Sequence, residues 1–408
     1  MKVRIGRDEL LTGLQRVQGV VEKRNTMPIL SNVLLEARQE GAEIVATDLE
    51  IGMRGLYKAA VLETGGVTIS ARKLFEIIKE LPSGDIELTT GENNWTTIQT
   101  GKSQFKIVGL PSADYPALPA IEREGLTPLS GDGLLELIRK TLFAAGDNDA
   151  RYILNGLLVT LINTEKKTTL RLVGTDGHRL AVARYILNGL LVTLINTEKK
   201  TTLRLVGTDG HRLAVAEHEM SHAGGKGVPQ EIKAIIPKKA AQEMRRLLEE
   251  GGDGEPLIGF AKNLMIFRKS GLLLTSRLME GNYPNYQQVI PKEGGKKISV
   301  NRIELESALR RVSVLSRDKA SAVKVSFAPG KMTLFSSSPD YGEATEELPA
   351  RYEGEALSSG FNARYLLDVF GVMDGENVSL QIETPLSPCL IQESESPGFK
   401  CVVMPIKI

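Results

Sequence analysis

Cysteine is nearly absent from the chain: Cys389 and Cys401 are the only two in 408 residues. That excludes a disulfide framework and fits a reducing compartment. Aromatic residues make up 5%, and Trp95, the single tryptophan, is expected to pack in a sheet. No apolar run is long enough to span a bilayer, so no membrane partner is expected. Met1-Lys2-Val3-Arg4-Ile5 alternates like a strand and does not read as a signal peptide, which points to the cytoplasm. Nor is there an excess of either charge. The net charge of +1 excludes a protein that is basic all over, but not one with a basic lining and an acidic exterior.

Repetition is what the chain has in abundance. The unit Arg151–Ala183 is written again, letter for letter, as Arg184–Ala216. Each copy reads as a β-hairpin with an Asn-Thr-Glu-Lys-Lys turn, closing in Thr-Asp-Gly-His-Arg-Leu-Ala-Val around a tight Asp-Gly turn. Each carries five basic and two acidic residues, so a chain with one copy would stand at −2. Two identical copies cannot both fill one slot in one sheet.

A second, longer repeat runs through the whole chain. Arg7–Val21, Asp132–Ala145 and Arg302–Leu315 have the i, i+3/i+4, i+7 apolar spacing of amphipathic helices. Ala71–Leu81, Lys238–Glu250 and Ala363–Phe370 form a second set, each followed by a glycine-containing stop and an alternating strand. Helix, strands, helix, strands therefore recurs three times, an α+β pattern with helices covering one face of antiparallel sheets. Proline-rich loops at Pro111–Pro128 and Pro284–Lys297 divide it into three domains, 1–122, 128–292 (which holds the duplicate) and 297–408. Basic residues recur on the helices' polar faces: Arg72, Lys73 and Lys79; Arg139 and Lys140; Lys238, Lys239, Arg245 and Arg246; Arg310 and Arg311. On one helix this is a solvated face. In all three domains it suits sequence-blind contact with phosphates.

Two motifs suggest enzymes and fail. His218-Glu219-Met220-Ser221-His222 has the letters of a zinc protease motif, but a glycine run follows at once and no apolar stripe supports the helix that zinc ligation needs; a polar loop is expected and no metal. Asp176/His178 and Asp209/His211 have no accompanying nucleophile, so no catalytic residue is assigned.

Arg24-Asn25-Thr26-Met27-Pro28-Ile29-Leu30, Thr47-Asp48-Leu49-Glu50, Ala71-Arg72-Lys73 and Leu110–Pro116, in that order, resemble the first domain of the bacterial β sliding clamp family, the β subunit of DNA polymerase III. Arg151–Gly156 and the Thr-Asp-Gly-His-Arg-Leu turn resemble its second domain, and Tyr283–Tyr286 and Val402–Ile406 complete the pattern. The resemblance implies three similar domains forming half of a head-to-tail homodimeric ring around duplex DNA. It implies no catalysis and no cofactor. Processivity then comes from tethering, with dissociation restrained by topology.

The same resemblance implies the sites. Arg24, Arg72, Lys238 and Lys239 match channel positions, and Tyr152 and Ile153 a loop that touches single strands. The replicative polymerase, clamp loader and repair polymerases would dock short linear motifs in a groove between domains two and three. That groove would use Arg151, Leu154, Thr208, Gly210, His211, Arg212, Leu213, Pro284, Val289, Leu386, Val402, Met404, Pro405 and Ile406. If the first copy fills the slot, its turn residues are Thr175, Gly177, His178, Arg179 and Leu180. Gln288 and Pro388 depart from the family pattern. At the ring joint Phe105 and Ile107 would meet Val314 and Leu315 of a second copy. The alternative is a peptide-binding scaffold that the duplicate prevents from closing.

Arg151–Ile162 and Leu203–Ala216 are expected to fill the two strand slots, with the residues between them extruded at an exposed turn. Deleting Arg184–Ala216 should then raise the melting temperature and leave peptide binding at least as tight. A large loss of folded protein on deletion, seen by circular dichroism, would refute this.

Overall fold

The computed structural model describes the chain except residues 22–26, 120–125, 146–155, 165–166, 174–188, 198–199, 209–211, 221–230, 253, 262, 281–287, 292–293, 317–320, 394–398 and 408. The strands come in chain order. β1 is Lys2–Gly6, β2 Asn32–Arg38, β3 Gly41–Thr47, β4 Ile51–Tyr57, β5 Ala59–Glu63, β6 Gly65–Ser70, β7 Asp85–Thr90, β8 Trp95–Thr100, β9 Ser103–Pro111 and β10 Thr127–Pro128. Then follow β11 Gly156–Thr164, β12 Lys167–Val173, β13 Gly189–Thr197, β14 Lys200–Thr208, β15 Arg212–Met220, β16 Glu231–Pro237, β17 Leu257–Ala261, β18 Leu264–Lys269 and β19 Leu272–Arg277. The last group is β20 Lys296–Asn301, β21 Ala322–Ala328, β22 Lys331–Ser338, β23 Gly342–Pro349, β24 Leu357–Asn362, β25 Asn377–Ile382, β26 Cys389–Glu393 and β27 Phe399–Val403. The helices are α1 Arg7–Val17, α2 Ala71–Glu80, α3 Gly131–Leu142, α4 Lys238–Glu249, α5 Arg302–Val312 and α6 Ala363–Phe370. All six lie where the apolar spacing predicts them, and none of the described helices is long and apolar enough to cross a membrane.

Two compact units result, Met1–Gly131 with Glu243–Arg277, and Asp132–Gln242 with Leu278–Ile408. The 128–292 segment is shared between them because two strand pairings reach across the sequence. In the first unit β4 pairs β19, within the order β10-β17-β18-β19-β4-β3-β2-β6-β9-β8-β7-β1-β5. In the second, β15 pairs β27, within β11-β16-β13-β12-β14-β15-β27-β26-β25-β20. A four-stranded sheet, β23-β22-β21-β24, completes the second unit.

In the first unit α1 buries Leu10, Leu14 and Val17, and α2 buries Leu74 and Ile78. The α1 helix stops at Val17 instead of running on to Val21. Arg246 of α4 donates to the carbonyls of Gln15 and Arg16, satisfying groups that another helical turn would have used. Gly19 passes so close to the Glu243 carboxylate that a Cβ there would overlap it. Trp95 lies in the sheet as the first residue of β8, opposite Val108, but on its outer face, 39% exposed, with the Lys106 ammonium 5.5 Å from its ring centre.

The duplicate leaves a clear imprint on the second unit. β11 and β13, the same letters 33 residues apart, both run antiparallel to β16, with Leu157 and Leu190 each opposite Ile236. Two strands therefore share the one register expected to be filled by the first copy alone. The next slot holds β14 of the second copy, which pairs β15 from Thr201↔Met220 to Thr208↔Leu213. β12 of the first copy also stands in the sheet, paired with β13 and β14, so Lys167–Val173 and Gly189–Thr197 are not extruded as expected. Thr175, Gly177, His178, Arg179 and Leu180 lie outside the described residues. His218, Glu219 and Met220 are strand residues of β15 and not loop. Alternating Arg212–Ala216 propagates the ladder into them.

Tyr115 fastens the exit linker of the first segment. Its hydroxyl donates to the Asn32 carbonyl at 3.1 Å and accepts from the Thr47 N–H at 3.2 Å. Burial pushes its pKa up from 10.0 to about 12. A raised folded-state pKa means that this stability is fully present below pH 10 and lost as pH rises towards 12. Tyr115→Phe should lower unfolding free energy by about 1 kcal/mol at neutral pH. It should also flatten the wild-type fall in stability between pH 10 and 12, which urea melts across that range would detect.

Candidate functional site

β15 and β27 meet with Leu213 opposite Val402, and β26 places Leu390 opposite Val402 on the other side. Period-two alternation puts Leu213 and Val215 on one face. The bridge between Ile235 and Met279 brings two more apolar side chains to it. Leu213, Val215, Ile235, Met279, Leu390 and Val402 form one buried cluster, and Val289 and Ile290 lie half-buried against it. Leu386, 64% exposed, sits on the Thr384–Ser387 turn, which is tied by Thr384 Oγ1 to Ser387 Oγ at 2.7 Å. Met404 is half-buried, Pro405 buried, and the Ile406 N–H donates to the Gly360 carbonyl at 2.8 Å, pinning the last residues to β24. The site is a floor of branched aliphatics edged by an unbranched methionine, a surface that can accept several apolar side chains.

Arg212 opens β15 but its guanidinium turns inward. It pairs with Asp368 at 2.5 Å and donates to the Phe143 carbonyl at 2.9 Å. The rings of Phe143 and Tyr365 hold its carbon at 5.1 and 4.5 Å from their centres. Only 8% of the residue is exposed, so it acts here as a strut between the end of α3, the groove strand and α6. Sequence reasoning placed Arg212 in the groove and missed Phe143, Tyr365 and Asp368. Ile235, Met279 and Leu390 were missed as well. Ile235 and Leu390 stand in short apolar runs of β16 and β26, but nothing local to the sequence announces the bridge that brings Met279 to Ile235. Of the remaining groove residues, Thr208 ends β14, while Arg151, Leu154, Gly210, His211 and Pro284 lie outside the described residues.

The basic faces divide. Arg72 is 85% exposed in its side chain and pairs with Glu76 at 2.8 Å, while Arg310 and Arg311 are exposed and pair with Glu306 and Glu346. Lys140 is not on an outer face. It is 4% exposed, 3.0 Å from Glu136 and 3.4 Å from Glu393, and it stands over the Phe399 ring. Helical periodicity ranks Lys140 as polar-face, but the buried Glu393 draws it in. Arg246 turns inward for the reason given above, the carbonyls at the end of α1. Lys238 and Lys239 form the first turn of α4, and Lys238 donates to the Ala145 carbonyl at 2.7 Å. Arg24 and Tyr152 lie outside the described residues.

Two sheet edges carry no strand among the described residues. β9 meets β6 only through Gly109–Pro111, and β23 pairs β22 alone. Phe105 is 41% exposed and Ile107 half-buried on the core face of β9, while Val314 is 55% exposed just beyond α5 with Leu315 half-buried beside it. No group of three His, Cys, Asp or Glu side chains converges as a metal site among the described residues.

The sequence profile of the DNA polymerase III beta subunit N-terminal domain matches residues 1–119, and that of its C-terminal domain matches 287–407. The central-domain profile matches twice, at 128–184 and 182–285, the two matches meeting where the duplicated units join. The chain belongs to the DNA polymerase III beta subunit family. Within it, the chain is 34% identical over 410 residues to the beta sliding clamp of Caulobacter vibrioides and 32% identical over 409 residues to that of Pseudomonas putida, with 100% of both chains covered in each case. Among solved structures it resembles a beta subunit clamp from Bartonella birtlesii bound to griselimycin, with a TM-score of 0.86 and 32% identity. It also resembles the Caulobacter crescentus sliding clamp, with a TM-score of 0.84 and 34% identity. Both comparisons cover 100% of each chain. The family is a non-catalytic processivity subunit of DNA polymerase III.

Arg212→Ala leaves the Phe143 carbonyl without its donor and empties the space between the Phe143 and Tyr365 rings. It should therefore destabilise this clamp by about 3 kcal/mol. Asp368→Asn, which keeps a hydrogen-bond acceptor at a partly exposed position, should cost about 1 kcal/mol. Urea denaturation of both variants checks the order; equal effects would contradict the strut role of Arg212.

Proposed function

We propose that this chain is one half of a closed ring that encircles duplex DNA as the processivity factor of a replicative polymerase. Its domains are 1–122, 128–292 and 297–408. The family's function is that of a sliding clamp, and the observation that carries it to this chain is coverage by clamp profiles from residue 1 to 407. The ring joint pairs β9 of one copy with β23 of another, Phe105 and Ile107 meeting Val314 and Leu315. This is supported by core-face apolar side chains lying beside strand edges that need partners. Arg24, Arg72, Lys238 and Lys239 contact DNA by phosphate charge and without base readout, and Tyr152 belongs to a loop that touches single strands. Two lysines in the first turn of α4 oppose the helix dipole, a small cost that phosphate binding offsets. The seat at β15–β27 docks short apolar motifs of the polymerases and the clamp loader, and the protein works in the bacterial cytoplasm.

The scaffold alternative is not favoured, because Ser103–Pro111 and Gly342–Pro349, which the joint needs, lie outside the duplicated unit and keep their edges. Light scattering at micromolar concentration is the test. A single species near 89 kDa, twice 44.5 kDa, is the expected result. A monomer or a spread of larger species would refute ring closure.

A further inference from the structure

The chain builds the same sheet joint twice. In one, β4 meets β19 with Gly52 opposite Thr275; in the other, β15 meets β27 with Leu213 opposite Val402. In the sequence, Gly52 stands five residues past Thr47 of a Thr-Asp pair, and Leu213 stands five past Thr208 of another. The neighbouring strands agree in register: Ile266 faces Thr275, and Leu390 faces Val402. Thr68 bridges Leu110 three residues before α2, and Ile235 bridges Met279 three residues before α4. The floor of Leu213, Val402, Ile235 and Met279 at one joint thus corresponds to Gly52, Thr275, Thr68 and Leu110 at the other.

The two floors differ in what covers them. At Leu213 the covering residues Val289 and Ile290 lie half-buried against a deep apolar cluster. At Gly52 the floor is pared away and the linker comes down onto it. A Cβ on Gly52 would run into Leu118 Cδ2 and come within 2.9 Å of Thr275 Oγ1. Thr68 is spoken for, accepting from Asn32 Nδ2 at 3.2 Å and donating to the Leu110 carbonyl at 3.3 Å. Tyr115, three residues before Leu118, anchors the linker through its two hydrogen bonds.

We propose that the β4–β19 joint is a second docking seat of the same architecture, and that the chain's own Leu118 is its occupant. Leu118 is an internal ligand that limits partner peptides to one per chain. The proposal rests on β15–β27 being the partner groove.

The test uses the full-length protein and a fluorescein-labelled hexapeptide carrying three leucines on an otherwise polar chain. Titrated to saturation, wild type should bind one peptide per chain, Leu118→Ala two, and Leu118→Ala with Leu213→Asp one. A Leu118→Ala protein that keeps the wild-type circular dichroism and still binds one, with the double variant binding none, overturns the proposal. Wild type that binds no peptide, or binds it unimpaired after Leu213→Asp, overturns the groove reading and this proposal with it. A second measurement serves if Leu118→Ala does not fold. Cys389 and Cys401 are buried, so maleimide should label Leu118→Cys roughly tenfold more slowly than Ala117→Cys. Adding Gly52→Ala, which fills the seat, should abolish that protection. Equal labelling of the two single variants overturns the proposal.

Discussion

Antiparallel pairing between strands far apart in sequence is the constraint on which this structure depends. β4 reaches β19 and β15 reaches β27 across more than a hundred residues in each case, and every side chain at those joints takes its face from the register. A slip of one residue would turn Leu213 and Val215 away from Val402 and present Ala214 and Ala216 instead. The apolar cluster exists because Leu213 stands opposite Val402 in the ladder. The helices then cover what the ladders leave apolar, and their packing adds stability without choosing the register.

Electrostatics is organised around the same frame. Exposed guanidinium groups such as Arg72 and Arg310 pair with carboxylates one turn away on their own helix, and such pairs are weak enough to be exchanged for phosphates. Lys140, Arg212 and Arg246 instead tie separate elements together, with partners on β26, α6 and α1. Inward cations hold the frame, while outward cations keep only exposed partners on their own helices. Burial marks the difference, since a cation drawn from water needs several fixed acceptors at once.

Much of the fold was legible in the sequence. Apolar spacing located all six helices, and the α5 and α6 starts coincide with Asn301 and Asn362, whose side chains cap them. What escaped was set by tertiary partners. Nothing local to Arg7–Val21 announces that Arg246 will end the helix at Val17, and helical phase alone makes Lys140 a polar-face residue. The groove was legible as a set of names through family resemblance, and Leu213, Val289 and Val402 do converge. Arg212 was legible as a position but not as a strut, because its ring partners come from α6 and from the end of α3. Trp95 was legible as a sheet residue but not as an exposed one, because which face of β8 turns outward is set by the register.

The shared register of β11 and β13 against β16 has a genetic consequence. Both copies pair with β16 in the same register, with the same letters in the same order. A substitution in one copy therefore leaves an identical strand still paired to β16, and selection acts fully only when both are damaged. Arg212–Ala216 has no such spare among the described residues, where β15 alone pairs β27. Mutational tolerance in the duplicated unit should therefore be uneven: permissive along Gly156–Thr164 and Gly189–Thr197, strict along Arg212–Ala216.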